Sequence, residues 1–210
     1  MKSKTFLICL LLAVLGGCLP VLSLHSLHTE ENTVFQKKLL GKWFDDSDNI
    51  WLFSRPDPNK KSYELAFANK EGDKGLFKSH LVRLQDRYFL NFEPAGSQAG
   101  LKDANDYEYP LNWAFLLRGH TFAVVDSFEP NMTLRFAVRN KKLEQFLKDH
   151  NDEIEYAEPE DRLILTSETE KLQQFILKYA DSNDLFTTEM ILSRDKAEDR
   201  NSKPKTDAKD

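Results

Sequence analysis

Arg87-Tyr88-Phe89-Leu90-Asn91-Phe92 is the stretch on which the reading of the fold turns. Successive side chains of a strand point to opposite faces, so Tyr88, Leu90 and Phe92 share one side and Arg87, Phe89 and Asn91 the other. The same alternation sets Tyr63, Leu65 and Phe67 against Glu64, Ala66 and Ala68, and Leu134, Phe136 and Val138 against Thr133, Arg135 and Ala137. It recurs in Trp113, Phe115 and Leu117 and in Phe122 and Val124. Alternation over such windows marks strands with one face in a core. The breaks, Glu71-Gly72-Asp73, Gln85-Asp86, Arg118-Gly119-His120 and Glu129-Pro130-Asn131, carry turn chemistry. Connections this short join antiparallel neighbours. The expectation is a mainly β protein with an up-and-down meander of about eight strands between Gly41 and Arg139. Closure removes strand edges that would otherwise pair with other chains, so a meander of this size is expected to curl into a barrel.

Outward from the meander the pattern changes period. Asn140 can cap a helix carrying Leu143, Phe146 and Leu147 on one face. Ile154 to Ala157 and Arg162 to Thr166 read as strands around a Glu158-Pro159-Glu160-Asp161 turn. Ser167-Glu168-Thr169-Glu170 has the form of a capping box, and Leu172, Phe175, Ile176 and Tyr179 follow at helical spacing. Both helices are expected to pack outside the barrel. Glu189 to Arg194 predicts a final strand, and 195–210, almost all charged or polar, a disordered tail.

The amino-terminal end carries a different kind of information. Lys2 and Lys4 form a basic head, Phe6 to Leu15 is an apolar run, and Leu15-Gly16-Gly17-Cys18 closes it. This is the layout of a secretory signal, 1–17, and the run is too short to span a bilayer, which takes roughly 20 apolar residues. Removing it leaves Cys18 as the one remaining thiol, without a disulfide partner, and a lone thiol in an exported chain needs a reason. An ordinary signal cut after Gly17 or beyond Ser23 is the alternative. Residues 18–33 lack a sustained period and read as a flexible tether spanning about 25 Å, with His25 and His28 solvated. The domain proper is then 34–194.

Leu15-Gly16-Gly17-Cys18 resembles a bacterial lipobox. The resemblance implies lipid on the Cys18 thiol, cleavage just before it, acylation of the new amino terminus and residence in the cell envelope. Leu19, not Asp, after the cysteine implies the outer membrane, facing the periplasm, in a diderm host. Gly41-Lys42-Trp43 resembles the Gly-x-Trp signature of the lipocalin and calycin superfamily. That likeness implies a lipocalin-like barrel in which Trp43 plugs one end and an Arg of a late strand lies across it, Arg194 being the candidate and Arg139 the reserve. The block Leu163 to Tyr179 is similar to the carboxy-terminal part of uncharacterised bacterial lipoproteins with an all-β body, which carry no activity across.

Composition excludes some functions. Loss of Lys2 and Lys4 lowers the formal charge of −5 by two, to about −7, with no basic stripe. Nucleic acid is therefore not an expected partner, and attachment to a membrane would rest on lipid alone. No Gly-x-Ser-x-Gly elbow, phosphate loop or dinucleotide fingerprint is present, and no cofactor is implied. His80, His120 and His150 lack second ligands at metal spacing. Asp126 shares the alternation of Phe122 and Val124; paired with an Arg it is structural, and unpaired in a cavity it invites a binding or catalytic role. The long connection Glu93 to Pro110 brings Tyr107 and Tyr109, with Trp113 close behind, towards one barrel rim as candidate ligand contacts. Two functions follow. The first is a non-catalytic interaction or structural module with an unknown protein partner, favoured because fifteen Phe and three Trp suffice to fill a small barrel. The second is a carrier of a small apolar ligand or lipid. A solvent-excluded pocket of a few hundred Å³ with apolar walls separates them: its presence favours the carrier, its absence the module.

Overall fold

The computed structural model describes residues 20–95, 119–160 and 162–196. Its amino-terminal segment holds β1 (Leu22–Ser23), β2 (Thr33–Val34) and a 3-10 turn at Lys37–Leu39. The meander follows as β3 (Gly41–Phe44), β4 (Ile50–Ser54), β5 (Tyr63–Ala68), β6 (Lys74–Leu84), β7 (Arg87–Pro94), β8 (Thr121–Ser127) and β9 (Met132–Phe136). Then come helix α1 (Lys141–Asp149), β10 (Tyr156–Ala157), β11 (Ile164–Leu165), helix α2 (Thr169–Lys178) and β12 (Thr188–Leu192).

Strands β3 to β9 pair in sequence order, all antiparallel, and β12 joins the free edge of β9 with Leu134 opposite Met190. Phe44 and Ser193 exchange two backbone hydrogen bonds of 2.8 Å, which brings the end of β12 round to β3. The result is a nearly closed, eight-stranded antiparallel barrel with two helices. Seven barrel strands lie between Gly41 and Arg139 among the described residues, the strand expected at Trp113, Phe115 and Leu117 lies outside them, and β12 is the eighth strand of the barrel. Sequential pairing alone could not have placed it, because α1 and α2 intervene.

The central side chains of β7 and β8 are mostly apolar on both faces because both faces are covered. Leu90, Phe92, Ala123 and Val125 point into the barrel with Trp43, Phe53, Tyr63 and Leu134. Phe89, Phe122 and Val124 point outward and pack under Leu143 and Leu147 of α1 and Leu172, Phe175 and Ile176 of α2. Burying each of these large side chains contributes about 1.5–3 kcal/mol, so the outer layer is a second core. The helices thus follow the expected stripes. Asn140 caps α1 by accepting from the Lys142 and Leu143 amides at 2.9 and 3.0 Å.

The capping box does not form. Glu168 is the cap residue of α2 and makes no side-chain cap bond, while the buried Ser167 hydroxyl accepts from the Glu155 amide at 2.8 Å and ties the helix entry to the preceding turn. Asp126 also departs from expectation. The register shifts between Val125 and Ser127, which turns Asp126 out to solvent, where both its oxygens accept from the Arg135 guanidinium. Its role is structural.

The tether is corrected most sharply. Residues 20–33 are packed onto the barrel: Val21, Ser23 and Leu27 are buried, β1 runs parallel to β11, and β2 pairs with the part of β6 beyond the reach of β5. The Leu27 amide donates to the buried Asn91 side chain at 2.9 Å. The segment starts at one barrel end, where Pro20 bridges to Val138, descends the outer wall and reaches the other end at Lys37–Leu39. Of the expected tail, Asp195 and Lys196 are described and the rest lies outside the described residues.

Candidate functional site

The two barrel ends differ. At the end where β3 begins, Trp43 is 1% exposed and its indole N–H donates to the Leu39 carbonyl at 2.9 Å. The Arg194 guanidinium lies 3.4 Å from the Trp43 ring centroid and donates to the carbonyls of Lys42 and Lys38 at 3.1 and 2.8 Å. Gly41 has φ +103°, and a Cβ there would sit 2.9 Å from Arg194 Nη1, so glycine is required on both counts. Gly41, Trp43 and Arg194 therefore form one plug. Arg139 sits elsewhere, paired with Glu144 and Glu158 beside α1.

Among the described residues the opposite end is hollow. A cavity of about 520 Å³, partly open, is walled by Trp51, Phe67, Phe77, Phe92, Phe136 and Met190, with Leu65 and Val138 behind them. Pro20, Thr121 and Thr188 complete the wall, and among the described residues no charged side chain lines it. The rings brace one another: Trp51 meets Phe67 edge-on at 5.2 Å, and Phe92 stacks on Phe136 at 6.2 Å. The phenylalanines expected to fill the barrel thus line its open end, while Trp43, Phe53 and Tyr63 fill the closed one. Phe92 and Thr121 stand at the two ends of the β7–β8 connection. Tyr107, Tyr109 and Trp113 belong to that connection and lie outside the described residues, as does Cys18.

A second cluster sits on the outer wall beneath the docked segment. The His28 and His80 rings stack with centroids 3.5 Å apart, and His120 stands edge-on to His28 at 6.5 Å. Asn91 Nδ2 approaches His120 Nδ1 at 3.3 Å, and Glu93 lies 4.0 Å from that nitrogen and 3.4 Å from Lys78. Burial pushes His80 down to about 3, helped by the charges of His28, Lys78 and His120. Burial also lowers His28 and His120, with Glu93 opposing in both. His80 Nδ1 is buried without a hydrogen-bond partner. The stacked rings present faces, not lone pairs, to each other, and among the described residues no group of three or more metal-binding side chains is placed to hold an ion. Sequence reasoning missed this cluster because His28, His80 and His120 stand far apart in the chain. The one available cue was that His80 and His120 share the outward parity of Phe89 and Val124.

Comparison with known protein families, curated proteins and solved structures finds no match. Fold and site nevertheless define a class: a nearly closed antiparallel barrel, plugged at one end and hollow at the other, consistent with a lipocalin-like fold. Among the described residues no helix is long and apolar enough to cross a membrane.

Proposed function

We propose that this protein is an envelope lipoprotein, held by lipid on Cys18, whose barrel carries one small apolar ligand. The observation that supports the carrier over the interaction module is the partly open cavity of about 520 Å³, whose described wall is apolar apart from Thr121 and Thr188. Pockets of roughly 300–1,000 Å³ bury most of a small ligand's surface. A solid barrel would have favoured the module. The anchor is supported by the Leu-Gly-Gly-Cys step and by the absence of any other cysteine after the leader.

Chain length sets the expected affinity. Transferring a twelve-carbon chain from water into an apolar wall gains about 10 kcal/mol, at about 0.8 kcal/mol per methylene. Lost translational and rotational freedom takes back at least about 4 kcal/mol. The remainder corresponds to a Kd of roughly 10–100 µM. Isothermal titration with saturated fatty acids of eight to fourteen carbons tests this. Affinity should rise about fourfold per methylene until the chain outgrows the cavity, and Met190→Trp should weaken it at least tenfold by filling the wall. Binding that ignores chain length, or an unaffected Met190→Trp variant, would refute the carrier. For the anchor, Cys18→Ser should move the protein from the membrane to the soluble fraction.

A further inference from the structure

We propose that the mouth of the cavity is held against the bilayer, so that the ligand is an acyl chain drawn directly from membrane lipid. This rests on the anchored-carrier reading above and adds to it an orientation and a source.

Pro20 is part of the cavity wall itself. The next residues are stapled around the mouth: the Val21 amide donates to the Ala137 carbonyl at 2.9 Å, and Ser23 and His120 exchange backbone hydrogen bonds of 2.8 Å. Leu22 and Leu24 donate to Leu163 and Leu165. No slack remains between Pro20 and the barrel. Cys18 lies two residues earlier, and a fully extended chain covers at most about 3.6 Å per residue, so its thiol is within roughly 10 Å of the mouth. A free tether of 18–33 would have let the body stand off by about 25 Å in any orientation. The docked segment removes that freedom.

The opposite end cannot take the mouth's place at the membrane. β6 alone is 11 residues long, and at about 3.3 Å per residue the barrel separates its ends by roughly 25–35 Å. The Trp43 and Arg194 plug therefore faces away from lipid. With the mouth at the interface, a lipid chain passes from one apolar medium to another. A ligand arriving through water is instead held back about fourfold for each methylene exposed on the way.

The test uses protein extracted with its native lipid, in which Cys18 is capped, so that a single introduced cysteine can carry a fluorophore. Glu71→Cys marks the β5–β6 turn at the mouth end and Asp86→Cys the β6–β7 turn at the plugged end; both residues are exposed. Each labelled protein is placed in phosphatidylcholine vesicles containing a nitroxide-labelled phospholipid. The label at position 71 should be quenched at least fivefold more than that at 86. Equal quenching, or stronger quenching at 86, overturns the orientation. Soluble Cys18→Ser protein titrated with dodecanoate then reports separately on the carrier reading, which survives if binding is retained. Intact mass of the native chain is the third arm: a bare sulfur on residue 18 removes the anchor and this inference together. Finally, native protein in vesicles of a fluorescent-chain phosphatidylcholine should load at least tenfold faster than Cys18→Ser protein offered the same vesicles. Equal rates overturn membrane-direct loading, and a cavity already filled by the protein's own Cys18-linked chain overturns the proposed source.

Discussion

Acidification from pH 7.5 to 5.0 should weaken the fold through the histidines under the docked segment, and the size of the loss can be worked out. An unfolded histidine titrates near 6.5, whereas burial lowers His80 to about 3 in the folded chain. Between those values the unfolded state binds the extra proton, so stability falls as pH falls. The contribution of neutral His80 is complete above about pH 6.5 and is lost as pH drops towards 3. At pH 5.0 the penalty is about 2 kcal/mol for one histidine kept neutral. His28 and His120 are lowered in the same direction and add to that loss, which is set against the roughly 5–15 kcal/mol total of an ordinary domain.

The groups facing this cluster are Lys78 and Asn91 from the barrel, Glu93 beside them, Lys60 and Lys61 from the β4–β5 connection, and His25, Ser26 and Glu30 from the segment itself. Working above pH 5 keeps ordinary carboxylates ionised and isolates the histidines. Urea unfolding followed by far-ultraviolet circular dichroism at pH 7.5, 6.5, 5.5 and 5.0 measures the loss. His80→Phe is the decisive variant, since a ring of similar shape keeps the stack on His28 without a proton to gain. It should cost little at pH 7.5, because the Nδ1 it removes has no partner, and it should recover about 2 kcal/mol of the acid loss. A wild-type midpoint unchanged between pH 7.5 and 5.0, or an acid loss identical in His80→Phe, would refute the reasoning.

Three further outcomes follow from the plug and the outer layer. Trp43→Ala should cost about 3–5 kcal/mol by urea unfolding, since the indole is buried and bonded to Leu39; a loss below about 1 kcal/mol would mean that the ring is exposed. Gly41→Ala should destabilise by more than about 1 kcal/mol, and Arg194→Ala in the same chain should relieve the contact part while the cost of the positive φ remains. Ser167→Ala should cost about 1–3 kcal/mol by stranding the Glu155 amide, whereas Glu170→Ala should cost under about 0.5 kcal/mol, the reverse of what a capping box requires.

Period-two alternation made the barrel walls legible, because each strand of the meander buries one face and turns within a few residues. The outer helices were legible through Asn140 and the stripe at Leu172, Phe175 and Ile176. The docked segment was not. Val21, Ser23, Leu27 and Thr33 are buried at uneven spacings of two, four and six residues, because the chain there crosses the wall as an irregular strap and touches it only at intervals. Such spacing has neither a strand's period nor a helix's, and its polar fillers look like those of a solvated linker. The histidine cluster was hidden for a related reason: its members come from the strap, β6 and the start of β8, and register alone brings them together.

The hollow end was hidden by a deeper limit. Alternation says which side chains face inward but not how far along the axis they meet others. Leu65 and Phe67 have the same inward parity on β5, yet Leu65 is 1% exposed and Phe67 is half-buried. The difference comes from what crosses the barrel ends. Lys37–Leu39 and Arg194 close one end over Trp43, and no described element does the same at the other. Nor are the walls free to fold inward over the gap. Phe92 and Phe136 are carried by β7 and β9, and those strands are held by the antiparallel ladder on either side and by the outer core beneath α1 and α2. The outer core thus holds the cavity wall in place. A large-to-small change there, such as Phe89→Ala, should loosen the cavity wall and reduce chain-length selectivity, even though Phe89 points away from any ligand.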